Sequence, residues 1–505
     1  MKKRSIIWAV PLLLIGCSGG GQPTTSENSL ENYASATWAS LQAMTGSNGL
    51  PADWVQVKTR ERAAYTSPTN IGAYLWSLVS ARELGLISSE ETIAQAQKTI
   101  AALSRLERHE PTGQFYNWYD SVSGEVLSLW PTNGDPVYPF LSSVDNGWLA
   151  AALMLVAQAV PEVADSAIAI ASSMNFSCYY DPEAGLLRGG FWTTKDAPPN
   201  SANYPRGDYC GGGEEVIYTG HHYGALNTEP RIASYLAMAK DGVPPQHYFH
   251  LQRTFPPSCD WGWTETAPKG EWKTYLGVEI FEGHYTYRGL DLVPTWGGSM
   301  FEALMPALLV PEAEWGQNSW ALNHPRYVQA QIQHGLEEAG YGYWGFSPAN
   351  NPAGGYREWG VDAIGMEPNG YSSDQERTLV DSGYADPEGG FCPNREPAPT
   401  PSSYGEGVVT PHAAFLALEF APKQAMANLQ ALQRDFDIYG WGGFADAVEV
   451  KSGRVSPYYL ALDQGMIMLA AANYLTDGRI QTYFSSQVKE VIQPILALEE
   501  FSLND

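Results

Sequence analysis

The stretch PTWGGSMFEALMP, residues 294–306, joins a tryptophan and a Gly-Gly turn to an apolar run with helical spacing. One carboxylate, Glu302, interrupts that run. An unpaired buried charge costs on the order of several kcal/mol, so Glu302 needs a polar partner or a cleft to face. Acidic residues in comparable surroundings recur at Glu229, Asp145 and Asp446. The pattern predicts helices separated by ring-rich loops, with acidic residues facing a cleft.

Helical periodicity dominates the rest of the chain. The sequence SSEE at residues 88–91 resembles a capping box, which opens a helix. Strand signals are short and isolated. Helices are expected at about residues 30–41, 71–79, 88–106, 145–159, 162–174, 229–239, 299–309, 326–339, 412–418, 423–435, 457–475 and 485–498.

Long stretches rich in Gly, Pro and aromatic residues separate these helices, at residues 115–139, 179–222, 256–298, 341–371 and 381–410. Loops of this length are unusual unless they are functional. About a dozen helices in antiparallel pairs, with long loops after alternate members, predict an all-α fold, an (α/α)6 barrel with its loops at one mouth. The eight apolar strands of a TIM barrel are not visible. Short β-hairpins are compatible with the loops.

The N-terminus has a basic start at residues 2–4 and an apolar run at residues 6–14, followed by a small-residue site that ends at Cys17. This segment resembles a bacterial lipoprotein signal. The resemblance implies cleavage before Cys17 and a lipid on its thiol, because the apolar run is too short to span a bilayer. An ordinary secretory signal is the alternative. Residues 18–29 have the composition of a flexible tether.

No shift in composition marks a second domain, so residues 30–505 are expected to form one domain. Ser18 does not follow the aspartate rule for retention in the inner membrane. We therefore expect an exported lipoprotein on the periplasmic face of the outer membrane or on the cell surface.

The acidic composition excludes several classes of partner. With 55 acidic and 29 basic residues, the net charge is -26. Nucleic acid and anionic membrane surfaces are therefore poor partners, and membrane contact is expected only through the lipid on Cys17. A neutral ligand would not be repelled, and 17 Trp with 29 Tyr supply abundant ring surface.

Four cysteines besides Cys17 remain: Cys178, Cys210, Cys259 and Cys392. An even number in an exported chain predicts two disulfides, with three possible pairings. Neither CxxC nor a zinc-type spacing of His and Cys is present. We therefore expect no metal and no cofactor.

Seven motifs resemble one family: FYNWYD (115–120), SSVDNGWLAAAL (142–153), NTEPRIASYLAMAKDGVP (227–244), TWGGSMFEALMP (295–306), WGFSPANN (344–351), GGFADA (442–447) and YLALDQG (459–465). In this order they are similar to the glucoamylase-like (α/α)6 family. That family includes bacterial endo-β-1,2-glucanases and the transglycosylating module of cyclic β-1,2-glucan synthases. The resemblance covers residues 30–484.

The resemblance implies a lipid-anchored glycoside hydrolase that cleaves a β-glucan, and we expect an endo-β-1,2-glucanase. Glycoside hydrolysis needs one carboxylic acid and one carboxylate. Glu229 falls at the position of the general acid, and Asp446 at that of the base that activates water. WGFSPANN lacks the Glu of the synthase module, and GGFADA has Asp in place of Glu, which favours a hydrolase over a transglycosylase. A glycosidase for another glucan or exopolysaccharide and a noncatalytic glycan-binding lipoprotein are the alternatives.

Each acidic residue also has a structural interpretation. Glu229 could be a first-turn acid stabilised by a helix dipole, and Asp446 a turn residue bonded to its own backbone. Asp145 could be an N-cap. Glu302 could pair with Arg288 or Arg357, and Asp463 could bind sugar hydroxyls or hold adjacent loops together.

The remaining candidates for substrate binding are aromatic residues and donors. Tryptophans in Gly-rich loops can stack on glucose or anchor a loop to the core; these are Trp296, Trp344, Trp359 and Trp441. Donors that could orient sugar hydroxyls are Arg231, Arg357, His412 and Gln464.

Overall fold

The structure is a computed structural model that describes residues 25–255, 268–366 and 405–504. In these ranges the helices are α1 (Thr25–Met44), α2 (Pro68–Glu83), α3 (Ser89–Leu103), α4 (Ser143–Ala159), α5 (Ala164–Ser173), α6 (Arg231–Lys240), α7 (Gln246–His250), α8 (Met300–Leu304), α9 (Glu312–Trp315), α10 (Trp320–Gln333), α11 (Pro411–Leu416), α12 (Pro422–Asp435), α13 (Ala461–Leu475) and α14 (Arg479–Leu498).

Short strands lie between the helices. They are β1 (Trp54–Gln56), β2 (Tyr65–Thr66), β3 (Arg108–His109), β4 (Gln114–Phe115), β5 (Tyr119–Asp120), β6 (Leu141–Ser142), β7 (Tyr180–Asp181), β8 (Leu186–Leu187), β9 (Gly190–Thr193), β10 (Arg206–Gly207), β11 (Val216–Tyr218), β12 (Lys269–Tyr275), β13 (Val278–Tyr287), β14 (Leu290–Leu292), β15 (Ala349–Asn350), β16 (Tyr356–Arg357), β17 (Val408–Val409), β18 (Tyr439–Gly440), β19 (Gly443–Phe444), β20 (Val448–Glu449), β21 (Arg454–Val455) and β22 (Tyr458–Leu460).

Six helices lie in successive contact. Helix α2 packs against α4 and α13, α4 packs against α6, and α11 packs against α8 and α13. Arg231 at the start of α6 donates to the backbone carbonyls of Glu302 and Ala303 in α8, which makes these two helices neighbours. Gly465 permits a close approach of α13 to α2, because an added Cβ would lie 2.6 Å from the Cβ of Ala73.

A second helix packs against each of the six: α3 on α2, α5 on α4, α14 on α6, α10 on α8, α12 on α11 and α1 on α13. Burial differs between the two sets. Most residues of α2, α4 and α13 are buried, whereas α3, α12 and α14 each bury only a stripe. A helix that is apolar all round belongs in the interior of a protein, and a helix with one apolar stripe belongs outside it.

The sheets are confined to the connections between helices. The larger ones have strand orders β10-β11-β9-β6, β12-β13-β14 and β17-β20-β21. The fold is therefore predominantly helical, as predicted, but its loops hold more strand structure than the all-α prediction implied. Strand β1 pairs with β22 in antiparallel register, which joins the segment before α2 to the start of α13.

The boundaries of several elements differ from the prediction. The predicted helix start is confirmed, because Ser88 is the N-cap of α3 and its hydroxyl accepts a hydrogen bond from the amide of Glu91 at 3.1 Å. Helix α1 begins at Thr25, so the last residues of the predicted tether at 18–29 are helical. Helix α13 begins at Ala461, later than predicted, because the residues before it form β22. Residues 1–17, with the predicted lipid site, lie outside the described residues.

A disulfide joins Cys178 to Cys210. It is one of the predicted bonds, and Cys259 and Cys392 lie outside the described residues. Among the helices that the structure describes, none combines the length and the apolar character needed to cross a bilayer.

Candidate active site

A cavity of about 570 Å³ brings together acidic and aromatic side chains from distant parts of the chain. Four carboxyl-bearing residues line it, together with aromatic, polar and aliphatic side chains. The lining residues are Asp53, Trp54, Tyr65, Ser67, Thr69, Asn70, Trp118, Trp130, Thr132, Val144, Asp145, Glu229, Asn350, Gly355, Tyr356, Tyr458, Leu460, Leu462 and Asp463. None of these described lining residues is basic.

Glu229, which is partly buried, lies just before α6 and faces the cavity. The indole Nε1 of Trp148 donates to Glu229 Oε2 at 2.6 Å. The amide of Glu229 donates to Glu302 Oε2 at 2.8 Å, which brings a second carboxylate close. Burial, followed by the negative charge of Glu302, holds the pKa of Glu229 well above its usual range. These surroundings favour the protonated form of Glu229.

Arg231 is buried beneath Glu229 and is 1% exposed. Its guanidinium forms a two-pronged ion pair with Glu312, at 2.7 and 2.9 Å. It also donates to the backbone carbonyls of Glu302 and Ala303. Contrary to the expectation of sugar binding, Arg231 does not reach the cavity. Its contacts fix the start of α6 against α8 and so hold Glu229 beside Glu302.

Asp145 lies in the first turn of α4 and lines the cavity. The N-cap of α4 is Ser142, whose hydroxyl accepts from the amide of Asp145 at 3.2 Å, so the N-cap interpretation of Asp145 is wrong. Asp145 Oδ1 accepts from the hydroxyl of Thr69 at 2.5 Å. Burial raises the pKa of Asp145.

Asp53 is a cavity residue that the sequence analysis missed. Its Oδ1 accepts from Asn70 Nδ2 at 2.7 Å, and its backbone carbonyl accepts from the amide of Ala461 at 2.8 Å. The pairing of β1 with β22 therefore places Asp53 beside the start of α13. Burial, the larger cause, and the charge of Asp446 raise the pKa of Asp53 to about 6. A single aspartate in PADWV carries no recognisable signal of this position.

Asp446, Asp463 and His412 form a buried cluster. We call these three residues the dyad cluster, after its two aspartates. The atoms through which these three residues could bind a metal ion all lie within 4.8 Å of one another. The two carboxyl groups are close enough to share a proton through a hydrogen bond. Burial raises the pKa of Asp446 to about 6, and burial with the charge of Asp446 holds the pKa of Asp463 well above its usual range. Burial lowers the pKa of His412 to about 3, so its imidazole is neutral.

Within the dyad cluster the two aspartates have different access to the cavity. Asp463 lines it, whereas Asp446 is 2% exposed and is not a lining residue. The amide of Asn350 donates to Asp446 Oδ2 at 2.5 Å. Asp446 therefore lies behind Asp463 and Asn350, which both line the cavity. Glu229 and Asp446 share this cavity only through those two neighbours.

Aromatic side chains form one side of the cavity. The rings of Tyr65, Trp118 and Trp130 contact one another edge to face, with centroids 5.2–5.6 Å apart. Trp54 and Tyr458 form a second pair, at 4.7 Å. None of these five was predicted to stack on sugar, although Trp118 lies within the motif FYNWYD. Their contribution depends on contacts between loops that are distant in sequence.

The predicted tryptophans lie elsewhere. Trp344 is 2% exposed, and its backbone amide and carbonyl are both bonded to the Asn428 side chain. Trp441 donates to the carbonyl of Val57 at 2.8 Å, and the Arg60 guanidinium covers its ring. Trp296 packs on a small separate apolar cluster, and Trp359 is buried in another. All four are loop anchors that do not line the cavity.

The other predicted hydrogen-bond donors do not line the cavity either. Gln464 is buried, donates to the carbonyl of Phe444 at 2.9 Å and accepts from Ser40 at 3.2 Å, so it is a structural residue. Arg357 is exposed on β16, next to the lining residue Tyr356. Arg288 forms an ion pair with Glu337 at 2.8 Å and is not the partner of Glu302.

The arrangement provides two chemical functions on different elements around one cavity. Glu229 lies in surroundings that keep a carboxylic acid protonated, as required of a proton donor. Asp446 and Asp53 supply carboxyl groups whose pKa values burial raises only to about 6. Two carboxyl groups whose surroundings separate their pKa values can act as an acid and a base.

Comparison with known proteins gives two family matches. Residues 262–487 match a family described as "Putative glucoamylase", and residues 32–187 match a protein family of unknown function, DUF3131. The cyclic beta-(1,2)-glucan synthase NdvB of Rhizobium meliloti (strain 1021) is 23% identical. That alignment covers 96% of this chain but only 19% of the synthase, so this chain spans about a fifth of that relative.

Solved structures with a similar fold include a beta-1,2-glucanase from Parabacteroides distasonis. Its TM-score is 0.67 at 18% identity, and the match covers 94% of this chain and 60% of that one. An endo-beta-1,2-glucanase from Chitinophaga pinensis, in complex with sophorotriose and glucose, has a TM-score of 0.64 at 16% identity, covering 94% and 98% of the two chains. The endo-beta-1,2-glucanase from Talaromyces funiculosus, in complex with sophorose, has a TM-score of 0.62 at 12% identity, covering 95% and 90%.

At these identities the structural comparisons establish the fold and leave the activity of this chain open. Together with the family match, they confirm the resemblance that the motifs predicted: this chain is similar to the glucoamylase-like family, whose model it matches over residues 262–487.

Proposed function

We propose that this protein is a glycoside hydrolase that cleaves internal bonds of β-1,2-glucan, with Glu229 as general acid and Asp446 as general base. The observation that carries the proposal is the position of Glu229. It faces a cavity lined with aromatic rings, in surroundings that keep it protonated. Asp463, which contacts the proposed base, lines the same cavity.

The proposed architecture is the (α/α)6 barrel. The successive contacts of α2, α4, α6, α8, α11 and α13 support an inner ring, and the second helix on each supports an outer ring. The loops that follow α3 and α10 supply Trp118, Trp130, Asn350 and Tyr356 to one cavity, as expected at one mouth of such a barrel.

In the proposed reaction, Glu229 donates its proton to the glycosidic oxygen as the bond from that oxygen to the sugar carbon breaks. Trp148 and Glu302 change the pKa of Glu229 in opposite directions. The hydrogen bond from Trp148 stabilises the carboxylate, whereas the charge of Glu302 destabilises it. Burial and Glu302 outweigh Trp148, so the acid retains its proton until the substrate takes it.

The second half of the reaction is the attack of water on the sugar carbon. A carboxylate must take a proton from this water. Asp446 is proposed for this role, since its pKa of about 6 leaves it ionised at neutral pH. The rings of Tyr65, Trp118 and Trp130 provide apolar surface on which glucose units can stack.

The choice of β-1,2-glucan is supported by the relatives, whose names specify β-1,2-glucanases and a β-(1,2)-glucan synthase. The synthase relative leaves glucan transfer open as an activity, and other glucans share the same chemistry at the acid. A cavity lined with acidic and aromatic residues, and with no basic residue among the described lining, suits a neutral sugar polymer but does not by itself select the linkage.

A panel of linear β-1,2-, β-1,3-, β-1,4- and β-1,6-glucans tests the proposal, with reducing ends and product sizes as the measurements. Short β-1,2-oligosaccharides released from the first substrate alone support it. Release from another glucan supports a different specificity of the same site. Binding of β-1,2-glucan without any cleavage on prolonged incubation would support a noncatalytic glycan-binding protein.

We also propose that the protein is anchored to a membrane through a lipid on Cys17, as the N-terminal sequence predicts. Mass spectrometry of the N-terminal peptide from cells tests this directly. A diacylglyceryl-modified cysteine at the N-terminus is expected, and Cys17→Ala should release the protein from the membrane fraction. An unmodified mature N-terminus elsewhere in the chain would contradict the lipid anchor.

A further inference from the structure

We propose that Asp463 is a proton relay: it takes the proton from the attacking water and passes its own proton to Asp446. This inference rests on the proposed function and adds a catalytic residue to it. It arises from a mismatch in the site, because the residue assigned as base does not line the cavity in which the water must lie.

The two aspartates differ in their access to the cavity. Asp446 is 2% exposed, and its Oδ2 is occupied by the amide of Asn350 at 2.5 Å. Asp463 is itself 4% exposed but lines the cavity. A water held against the sugar therefore meets Asp463 before it meets Asp446. A base must lie within hydrogen-bond reach of the proton it removes, directly or through one intermediate.

The hydrogen bonding of Asp446 and Asp463 favours a proton shared between them. Asp446 Oδ1 and Asp463 Oδ2 are buried, and no donor among the described residues bonds to either atom. Buried polar atoms are almost always satisfied in folded proteins. One proton shared between the two carboxyl groups satisfies both residues, with the Asp463 hydroxyl donating to the Asp446 carboxylate. Two adjacent buried carboxyls cannot both ionise readily, which favours this singly protonated state.

The groups that surround the two aspartates also favour a protonated Asp463. His412 Nδ1 lies 3.5 Å from Asp463 Oδ2, and its imidazole is neutral. Asp53 lies close enough for its charge to raise the pKa of Asp463 further. Among the described residues around the pair, no Lys or Arg offers an ion pair. Nothing there forces Asp463 to ionise, so it is available as a carboxylic acid.

Every proton in the proposed transfer has a donor and an acceptor among the water and the three carboxyl groups. One O–H bond of the water breaks as its oxygen bonds to the sugar carbon, and that proton binds the free oxygen of Asp463. The original proton of Asp463 moves to Asp446, which ends the step as a carboxylic acid. Glu229 ends it as a carboxylate, having given its proton to the leaving oxygen. The reaction adds one water and needs no other reactant.

Asp463→Asn is the main test. Its amide can still donate to Asp446, but it cannot accept one proton and release another. We expect kcat on β-1,2-glucan to fall by about 10² to 10⁴, the range for loss of general base catalysis, with little change in KM. Asp435→Asn is the matched control, since Asp435 pairs with Arg434 and Tyr343 away from the cavity and should keep full activity.

A second variant separates chemistry from folding. Asp463→Ala leaves space for a small acid, so added formate should restore part of the rate by replacing the missing carboxyl group. Formate should not restore Asp463→Asn, in which the amide fills the space. Circular dichroism and thermal unfolding verify that both variants fold.

The result that would overturn the relay is a wild-type enzyme that cleaves β-1,2-glucan together with an Asp463→Asn variant of undiminished kcat. A wild-type rate that is lost on chelation and restored by Ca²⁺ or Mg²⁺ would also overturn it, because the cluster would then hold a cation in place of the shared proton. If the wild-type protein cleaves no glucan, the proposed function fails first.

Discussion

The indole nitrogen of Trp148 donates to the carboxyl group of Glu229 at 2.6 Å, so a residue of α4 holds the proposed acid in place. This contact stabilises the ionised form of Glu229, while the nearby charge of Glu302 destabilises it. Trp148→Phe should therefore raise the pKa of Glu229, and Glu302→Gln should lower it.

The two variants should move the alkaline limb of the pH dependence of kcat in opposite directions. In Trp148→Phe the activity should persist to higher pH, and in Glu302→Gln it should be lost at lower pH. The measurement is the pH–rate profile on β-1,2-glucan. Shifts in the same direction, or none, would show that Glu229 does not set the alkaline limb.

The fall of kcat at low pH should follow the protonation of Asp446 in the dyad cluster. Asp446 has to be ionised to receive a proton, and burial raises its pKa to about 6. The rate should therefore be maintained above pH 6 and fall by about tenfold for each unit below it. A profile that stays level down to pH 4 would exclude Asp446 as the base.

Asp53→Asn should make the protein more stable at neutral pH. The folded pKa of Asp53 is about 6, above the value of 3.8 for a free aspartate, so the folded state binds more protons between these values. Stability is then lost as pH rises from about 4 to about 6. Two pKa units correspond to about 3 kcal/mol at most, and partial solvent access reduces this.

The amide of Asn can still accept from Asn70, so the substitution removes the charge and keeps the hydrogen bond. The gain in the free energy of unfolding over wild type should be larger at pH 7 than at pH 4. Urea unfolding at the two pH values measures it. An equal gain at both values would contradict the burial of a charged Asp53.

Arg231→Met should act on folding, because the ion pair of Arg231 with Glu312 is fully buried. Removal of one partner leaves the other charge unpaired, which costs about 3–5 kcal/mol. The free energy of unfolding should fall by that amount, with KM little changed at temperatures where the variant is folded. A selective rise in KM without a loss of stability would restore the sugar-binding interpretation of Arg231.

The helices could be predicted because burial leaves a periodic pattern in the sequence. Helices α4, α12 and α13 end at the predicted residue. Helices α4 and α13 are apolar on most sides and largely buried, and α12 has one apolar stripe and buries only that stripe. The start of α13 could not be predicted, since it depends on the pairing of β22 with β1, which is more than 400 residues away.

Only those residues of the site that lie in a recognisable motif could be predicted from the sequence. Glu229, Asp145 and Asp463 lie in motifs and do line the cavity. The stacking residues could not be assigned, because a tryptophan in a Gly-rich loop looks the same in sequence whether it anchors the loop, as Trp441 does, or lines the cavity, as Trp130 does. That difference is decided by partners distant in the chain.

The most direct test of the account is the activity of Glu229→Gln on linear β-1,2-glucan, compared with wild type. The substitution keeps an acceptor for Trp148 and removes only the acidic proton. We expect the release of oligosaccharides to fall by about 10² to 10⁴, with binding of β-1,2-glucan and the thermal unfolding temperature retained. Cleavage by the variant at the wild-type rate would contradict the assignment of Glu229 as the general acid.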